Sequence, residues 1–276
     1  MVKFVKGALL TAAVSIALGG IASAQALTDA EFKCQTSVSK AGSKFVGSKA
    51  KCAMKCLAGA RKVPPLNPAS DCFAPYGGTT LFCIADALKG AEGKFATAIR
   101  KACDPTFKVG TDCPECYSSG DCNQESIDRV ANIEGQVDSF GPGVFCDQDG
   151  ANPPDADKLE NTCEINTAKT LSKLVGSINK CYDKCNSGIR KGTITAGSCN
   201  PPSPSDPVTA ACINAADAKS IAGVNKKCGD VGVSPDCNGI ADSYPSGASW
   251  TGLVDLAISG NVPGTYCPSP SGAFID

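Results

Sequence analysis

The amino-acid sequence predicts an all-α, disulfide-rich fold made of two tandem repeats. The chain has 276 residues with 18 cysteines and no histidine. One pattern of cysteines, with spacings of 18 and 4 residues, occurs twice. It is found at Cys34, Cys52 and Cys56, and again 129 residues later at Cys163, Cys181 and Cys185. Apolar residues recur at helical spacing, and no segment alternates as a strand does. Each repeat is therefore predicted to be an antiparallel helical hairpin joined by disulfides, followed by a loop-rich arm with a short helix.

The first 26 residues have the pattern of a signal peptide. Lys3 and Lys6 precede a small apolar run, and Ala22-Ser23-Ala24 matches an A-x-A cleavage site. We expect this segment to be removed and the protein to be secreted or periplasmic in a bacterium. An even number of cysteines in an exported chain favours disulfide bonds. No later stretch reaches the roughly 20 apolar residues of a membrane helix, so the mature chain is expected to lack a transmembrane segment.

Two cysteine-rich helical repeats follow, at residues 27–150 and 151–276. The boundary lies in the linker-like sequence of residues 149–154, which contains Gly and two Pro. Phe, Trp, Tyr and Met total 18 residues, so the core is thin. Disulfides, which contribute roughly 2–4 kcal/mol each, would supply the missing stability.

Each repeat is predicted to begin with a long helix. Thr28 and Glu31 form a capping box, and the matching cap in the second repeat places the helix starts near residues 29 and 158. The proline pair at 64–65 stops the first helix, and Gly192 ends the second.

A second helix follows in each repeat, over Cys83–Cys103 and Cys212–Cys228. The first carries Leu88, Phe95 and Ile99 at helical spacing, and the second follows an Asp-Pro start signal. Shorter helices are expected near residues 127–137 and 249–258.

Helix length predicts how the cysteines pair. Eighteen residues rise about 27 Å, close to the length of the second helix, so antiparallel helices bring their cysteines together end to end. The expected hairpin pairs are Cys34–Cys103, Cys52–Cys83, Cys56–Cys72, Cys163–Cys228, Cys181–Cys212 and Cys185–Cys199. The remaining pairs are expected to be Cys113–Cys116, Cys122–Cys146 and Cys237–Cys267.

A lysine stripe is the strongest functional feature. Steps of 7 and 4 in the numbering keep its members within a sector about 60° wide, and no Asp or Glu occurs between residues 33 and 69. The stripe comprises Lys33, Lys40, Lys44, Lys51, Lys55 and Lys62 in the first repeat and Lys169, Lys173, Lys180, Lys184 and Lys191 in the second. Like charges at i and i+4 repel. We interpret the stripe as a solvated face, an anion-binding surface or a salt-bridge surface.

The arms are acidic. Residues 104–163 hold 13 acidic and 3 basic residues, and residues 229–276 hold 5 acidic residues and no Lys or Arg. The arms could fold onto the lysines of the same molecule or bind those of another copy. With 26 basic and 27 acidic residues overall, the chain is not expected to bind nucleic acid generally.

Other chemistries have weaker support. Cys113-Pro114-Glu115-Cys116 has the spacing of thiol–disulfide exchange sites but lies in a loop without a preceding strand. The carboxylates of Asp147, Asp149 and Asp155 suit Ca²⁺, although EF-hand spacing fails. Without histidine, Ser-His-Asp and Cys-His nucleophiles, zincin sites and haem attachment are excluded. A hydrolase using paired carboxylates stays open.

The sequence thus predicts an exported, non-catalytic binding or structural protein without a cofactor or metal. Its lysine stripes would contact an acidic envelope polymer or a second copy. The alternatives are a redox protein using Cys113 and Cys116 and, less favoured, a carboxylate-dependent hydrolase.

Overall fold

The described part of the protein is entirely helical. The computed structural model describes residues 28–62, 65–104, 114, 117, 122–145, 158–229 and 246–266, and no strand occurs among them. The seven α-helices are α1 (Asp29–Ala60), α2 (Gly78–Ala85), α3 (Ala91–Cys103), α4 (Cys122–Val144), α5 (Lys158–Arg190), α6 (Pro207–Cys228) and α7 (Gly247–Tyr266), with a 3₁₀ turn over Ala69–Cys72. The all-α prediction is confirmed. None of the described helices is long and apolar enough to cross a membrane.

The start of α1 and the end of α5 carry the expected signals. At the start of α1 the Glu31 N–H donates to the Thr28 hydroxyl over 3.2 Å, and the Thr28 N–H donates to the Glu31 carboxylate over 2.6 Å. This reciprocal pair satisfies two backbone donors that the helix itself leaves free. Gly192, just beyond α5, has a φ of 69°, the left-handed conformation that ends many helices.

Six cysteine pairs of the described residues are disulfide-bonded. They are the six hairpin pairs derived from helix length: Cys34–Cys103, Cys52–Cys83, Cys56–Cys72, Cys163–Cys228, Cys181–Cys212 and Cys185–Cys199. Each of the three other expected pairs, Cys113–Cys116, Cys122–Cys146 and Cys237–Cys267, includes a residue outside the described part.

The two arm helices are longer than the sequence suggested. The expected helices of residues 127–137 and 249–258 are α4, with 23 residues, and α7, with 20. Each contains a proline in its last turns, Pro142 and Pro263. Glycine and proline lower helix propensity there, but burial of one helix face stabilises a helix more than propensity does.

The length of α4 argues against the Cys122–Cys146 pair. Cys122 is the first residue of this helix and Val144 the last. Twenty-two steps of about 1.5 Å place their Cα atoms roughly 33 Å apart. Disulfide-bonded cysteines need Cα atoms within about 7 Å. Since Cys146 lies two residues beyond Val144 in the chain and outside the described part, a continuous helix favours another partner for Cys122, which is disulfide-bonded.

The single helix predicted over Cys83–Cys103 is wrong. Residues 86–90 interrupt it, separating α2 from α3. The Asp86 carboxylate accepts the N–H groups of Leu88 and Lys89 over 2.9 and 2.6 Å, and such local bonds compete with helix formation. Leu88, expected on the apolar face, is consequently 81% exposed.

Helices α1 and α5 pack antiparallel in the middle of the fold. The end of α1 meets the start of α5 where the Arg61 guanidinium donates to Glu164. At the opposite end Arg190, which terminates α5, pairs with Asp29 over 2.6 Å. Between them the Asn179 amide donates to the Ser43 hydroxyl over 2.8 Å.

Helices α4 and α7 form a second layer on one side of this central pair. Helix α4 packs against α3 and α1, and α7 packs against α5 and α6. Where α4 and α7 meet, Arg129 donates to the carbonyl of Gly264, and the Trp250 ring lies against Gly143. Residues early in each helix thus contact residues late in the other, so α4 and α7 are also antiparallel.

The buried core extends across both parts of the chain. One cluster lies among α1, α3 and α4, where the Phe45 and Phe95 rings stack with centroids 5.2 Å apart. A larger cluster joins Leu57 of α1 to Ile178 of α5 and Val254 of α7. Residues 29–145 and 158–266 therefore share apolar contacts rather than only a linker.

Candidate functional site

The lysine stripes of α1 and α5 are accessible to solvent. All eleven lysines are exposed. We call this set the lysine face; it consists of Lys33, Lys40, Lys44, Lys51, Lys55 and Lys62 at α1 and Lys169, Lys173, Lys180, Lys184 and Lys191 at α5. Because the disulfides and core contacts use other sides of these helices, the lysines take no part in the packing.

Both stripes lie on the side of the central pair away from α4 and α7. The interior cavity described below lies beneath α4 and α7, and α1 lines it with residues such as Gly42 and Ala53. At 3.6 residues per turn these residues lie roughly 180° around α1 from its lysines. On α5 the angle between the cavity-lining residues Leu171 and Val175 and the lysines is roughly 140–180°. The antiparallel pair therefore presents its two rows of lysines on one surface.

No described carboxylate forms an ion pair with this surface. The ion pairs among the described residues involve other cations, namely Lys49, Arg61, Arg100, Arg129 and Arg190. The acids of α4 are also used elsewhere, since Glu125 pairs with Arg129 and Glu134 pairs with Lys49. Among the described residues, the acids of α4 thus pair with Lys49 and not with the stripe.

Lys49 is a buried cation behind the lysine face. Its side chain is 1% exposed, and its Nζ lies 2.6 Å from Glu134 and 2.7 Å from Asp138, both on α4. The same Nζ lies 5.0 Å from the centroid of the Tyr76 ring. The Tyr76 hydroxyl donates to Asp138 over 2.5 Å, and burial, followed by this bond, raises the pKa of Tyr76. The cluster fixes α4 to α1 by pairing one buried ammonium with two carboxylates.

Sequence reasoning missed Lys49 because it was one lysine among many. The signal was nevertheless present: five residues after Lys44, it lies roughly 140° around the helix from that residue. Only a contact between residues 85 positions apart shows why a cation belongs there.

Two pairs of acidic side chains join hairpin helices to arm helices. Glu92 of α3 faces Glu134 of α4, and Asp217 of α6 faces Asp255 of α7, close enough for the two carboxyls of each pair to share a hydrogen bond. Two carboxyls share such a bond only when one of them carries a proton. Burial, assisted by the neighbouring carboxylate, raises the pKa of Glu92 to about 7 and that of Asp255 to about 6.

The two acid pairs occupy matching positions on α3 and α6. The number of residues from Glu92 to Cys103 equals the number from Asp217 to Cys228. Both cysteines end their helices. In each case the interval is about three helical turns, so the acid has the same place relative to the terminal disulfide.

The partner acids Glu134 and Asp255 also occupy matching positions, on α4 and α7. The interval from Glu134 to Pro142 in α4 equals that from Asp255 to Pro263 in α7. These arm positions are offset by 121 in the numbering, whereas the long helices are offset by 129. A single offset could not reveal both members of each pair, so the sequence analysis missed them.

Asp183 is a further buried acid, on α5 beside the central helix contact. It accepts a hydrogen bond from the Tyr266 hydroxyl and lies near Ser39. Burial raises its pKa to about 6, against the opposing effects of Ser39 and of the Lys40 charge.

An apolar cavity of about 140 Å³ lies between the central helices and the second layer. It is lined by side chains of α1, α4, α5 and α7 and by residues 72–76. Asp138 and Lys49 are at its wall, already paired with each other. The cavity holds no pair of free carboxylates of the kind a glycosidase needs, so it gives the hydrolase alternative no support within the described residues.

The other predicted sites lie outside the described part. This applies to Cys113 and Cys116, the redox alternative, and to Asp147, Asp149 and Asp155, the calcium alternative. A different cluster brings the sulfur atoms of Cys34, Cys103 and Cys122 within 4.8 Å of one another. All three are disulfide-bonded and offer no thiolate to a metal. Comparison with known family models, curated proteins and solved structures finds no match for this chain.

Proposed function

We propose that this protein is an exported, non-catalytic binding protein whose lysine face holds an acidic polymer of the cell envelope. The observation that carries the proposal is the placement of eleven exposed lysines on one surface, none of which forms an ion pair with a described carboxylate. Six disulfides and the absence of a membrane-spanning helix among the described residues are compatible with export.

We also infer that the two parts of the chain are tandem copies of one unit, a disulfide-linked hairpin followed by an arm helix. The recurring contacts support this inference. Arg61 and Arg190, which occupy equivalent positions of the two repeats, each reach the first turns of the other long helix. Two copies related in this way double the row of lysines that each presents.

The dimensions of the lysine face suit a linear polyanion. From Lys33 to Lys62 the row extends about 44 Å at 1.5 Å per residue. Packed helices lie about 8–10 Å apart, so the second row runs close beside the first. The flexible ammonium groups act as point charges rather than as a fixed bidentate fork, so recognition would depend on charge density more than on a specific anion.

Binding of a polyanion to such a face should depend steeply on salt. Each neutralised charge releases a counterion, so affinity falls as salt concentration rises. The probes are poly-L-glutamate and inorganic polyphosphate, titrated by calorimetry at several salt concentrations. We expect both to bind, with an affinity that decreases at every salt increment.

A charge-reversed variant tests the surface directly. The triple variant Lys44→Glu, Lys51→Glu, Lys55→Glu should abolish binding. Its matched control, Lys89→Glu, Lys94→Glu, Lys101→Glu, changes the net charge equally at three exposed lysines of the α2–α3 region. Equal loss of binding in both variants would contradict a specific surface, and unchanged binding in the first would remove the proposal.

Self-association through the same lysines is the competing outcome. Light scattering of the unmodified protein over the same salt series separates the two. A protein that is monomeric at low salt and binds the polymer supports the proposal, whereas salt-sensitive assembly without polymer contradicts it.

A further inference from the structure

We propose that the cavity between α1, α4, α5 and α7 is a binding site for a small, neutral, apolar molecule of about the size of one aromatic ring. This inference does not depend on the lysine face or its polymer. It concerns the opposite side of the central helices.

The cavity lies where the two parts of the chain meet. Val46 of α1 and Val175 of α5 line it from one side, and Val137 of α4 and Ile258 of α7 line it from the other. The two valines of the long helices are related by the offset of 129, and Val137 and Ile258 by the offset of 121, so matched residues of both parts surround the same space. A molecule in this space would contact all four helices at once.

Small side chains leave the space open. Gly42 and Ala53 on α1, Ala168 on α5 and Ala257 on α7 all belong to the lining. Protein interiors are normally packed with few voids larger than a water molecule. An unfilled apolar volume at the contact of four helices destabilises the fold, and a ligand that fills it offsets that loss.

The size of the cavity selects the ligand. Apolar cavities of about 150 Å³ in other proteins stay dry and take up benzene or xenon. The volume here is about 140 Å³, so a single ring or a short branched alkyl group fits.

The charges at the wall disfavour an anionic ligand. Lys49, the only Lys or Arg of the lining, is bonded to both Glu134 and Asp138, over 2.6 and 2.7 Å. An anion would therefore find no free cation among the described lining residues and would lose its hydration.

The neutral polar groups at the wall are also satisfied within the protein. Asn261 donates to Gln136, and Asn179 donates to Ser43. What the wall offers to a ligand is mainly apolar contact.

The probes are toluene and benzoate, which share a ring but differ in charge. Calorimetry and the melting temperature of the intact protein are measured with each. We expect toluene to bind in a saturable manner at one site and to raise the melting temperature. Benzoate should do neither. Absence of saturable toluene binding up to its solubility limit would overturn the proposal, as would equal binding of benzoate.

A variant that fills the cavity can be compared with a control that adds the same side chain elsewhere. Ala257→Phe places a ring in the cavity, so toluene affinity should fall by roughly tenfold or more. The control Ala131→Phe adds the same ring at an exposed position of α4 and should leave the affinity within about twofold. Toluene binding that survives in Ala257→Phe would place the site elsewhere and reject the proposal.

A second variant keeps the test decisive if Ala257→Phe does not fold. Val137→Ala enlarges the cavity by two methyl groups. We expect it to tighten binding of the larger p-xylene relative to toluene. An unchanged preference between the two ligands would contradict binding in this cavity.

Discussion

Arg61, at the end of α1, donates to Glu164 near the start of α5, and both side chains are more than 90% buried. Arg61 also donates to Asn161. At the matching position of the second long helix, Arg190 reaches Asp29, whose side chain is 99% exposed. The same residue type, repeated at the same place, therefore forms a buried ion pair at one end of the central helix pair and an exposed one at the other.

This difference predicts unequal effects of the two arginines. Arg61→Ala removes the buried cation that pairs with Glu164, and should lower the free energy of unfolding by about 3 kcal/mol. Arg190→Ala removes a solvent-screened pair and should have a much smaller effect. Denaturant melts of both variants measure the difference. Equal losses would contradict the burial that distinguishes the two pairs.

Lys49 should be the most sensitive lysine of α1. Lys49→Ala removes the only cation that contacts Glu134 and Asp138 in the described structure, and should lower the free energy of unfolding by about 3 kcal/mol. The exposed Lys51→Ala is the neighbouring control and should change it by less than about 0.5 kcal/mol.

Neutral substitutions at Lys49, Glu134 and Asp138 test whether the unpaired charges cause this loss of stability. Lys49→Met combined with Glu134→Gln and Asp138→Asn should recover most of the lost stability, since a buried ion pair can be replaced by neutral groups of similar size. A triple variant as unstable as Lys49→Ala would show that packing, and not the unpaired charge, determines the loss.

Stability should rise as the pH is lowered from about 8 to about 5. Burial raises the pKa of Glu92 to about 7 and those of Asp183 and Asp255 to about 6. The folded protein therefore binds these protons more tightly than the unfolded chain, which titrates near the ordinary values of 4.5 for Glu and 3.8 for Asp. The resulting stabilisation is complete below those ordinary values and is lost as the pH rises through the folded pKa values.

Melting temperatures measured at pH 5, 6, 7 and 8 and constant ionic strength check the direction of this pH dependence. Glu92→Gln combined with Asp255→Asn should flatten the dependence, because the amides keep a donor without titrating. Asp128→Asn, at an exposed position of α4, should leave the slope unchanged. A melting temperature that falls steadily from pH 8 to pH 5 is the contrary result.

Peptide mapping should separate Cys122 from Cys146. Cleavage of the unreduced protein before its aspartates places these cysteines in different fragments, which begin at Asp121 and Asp138. We expect the Cys122 fragment to be bonded to a fragment other than that of Cys146. Tyr117 lies in the same buried cluster as Cys122, so Cys113 and Cys116, which precede Tyr117 in the chain, are the first candidates. A direct Cys122–Cys146 bond would mean that α4 is not continuous.

The local features of this fold were predictable because short-range chemistry determines them. The Thr28–Glu31 capping box and the turn at Gly192 depend on neighbouring residues alone. The six hairpin disulfides followed from helix rise and cysteine spacing. The break at Asp86 also depends on neighbouring residues. Aspartate is compatible with a helix as well as with a turn, and the helical periodicity of the apolar residues favoured a continuous helix, which is wrong.

The sequence by itself determined the two long helices, six disulfides that join described cysteines and the sector of α1 and α5 that carries lysines. The tertiary structure alone decided that α1 and α5 pair antiparallel, so that their lysines share one surface. It also decided that Lys49 is buried against α4 and that a cavity remains beneath α4 and α7. These features depend on contacts between residues many positions apart, whose partners are selected by how whole helix faces pack and not by any pattern within one helix.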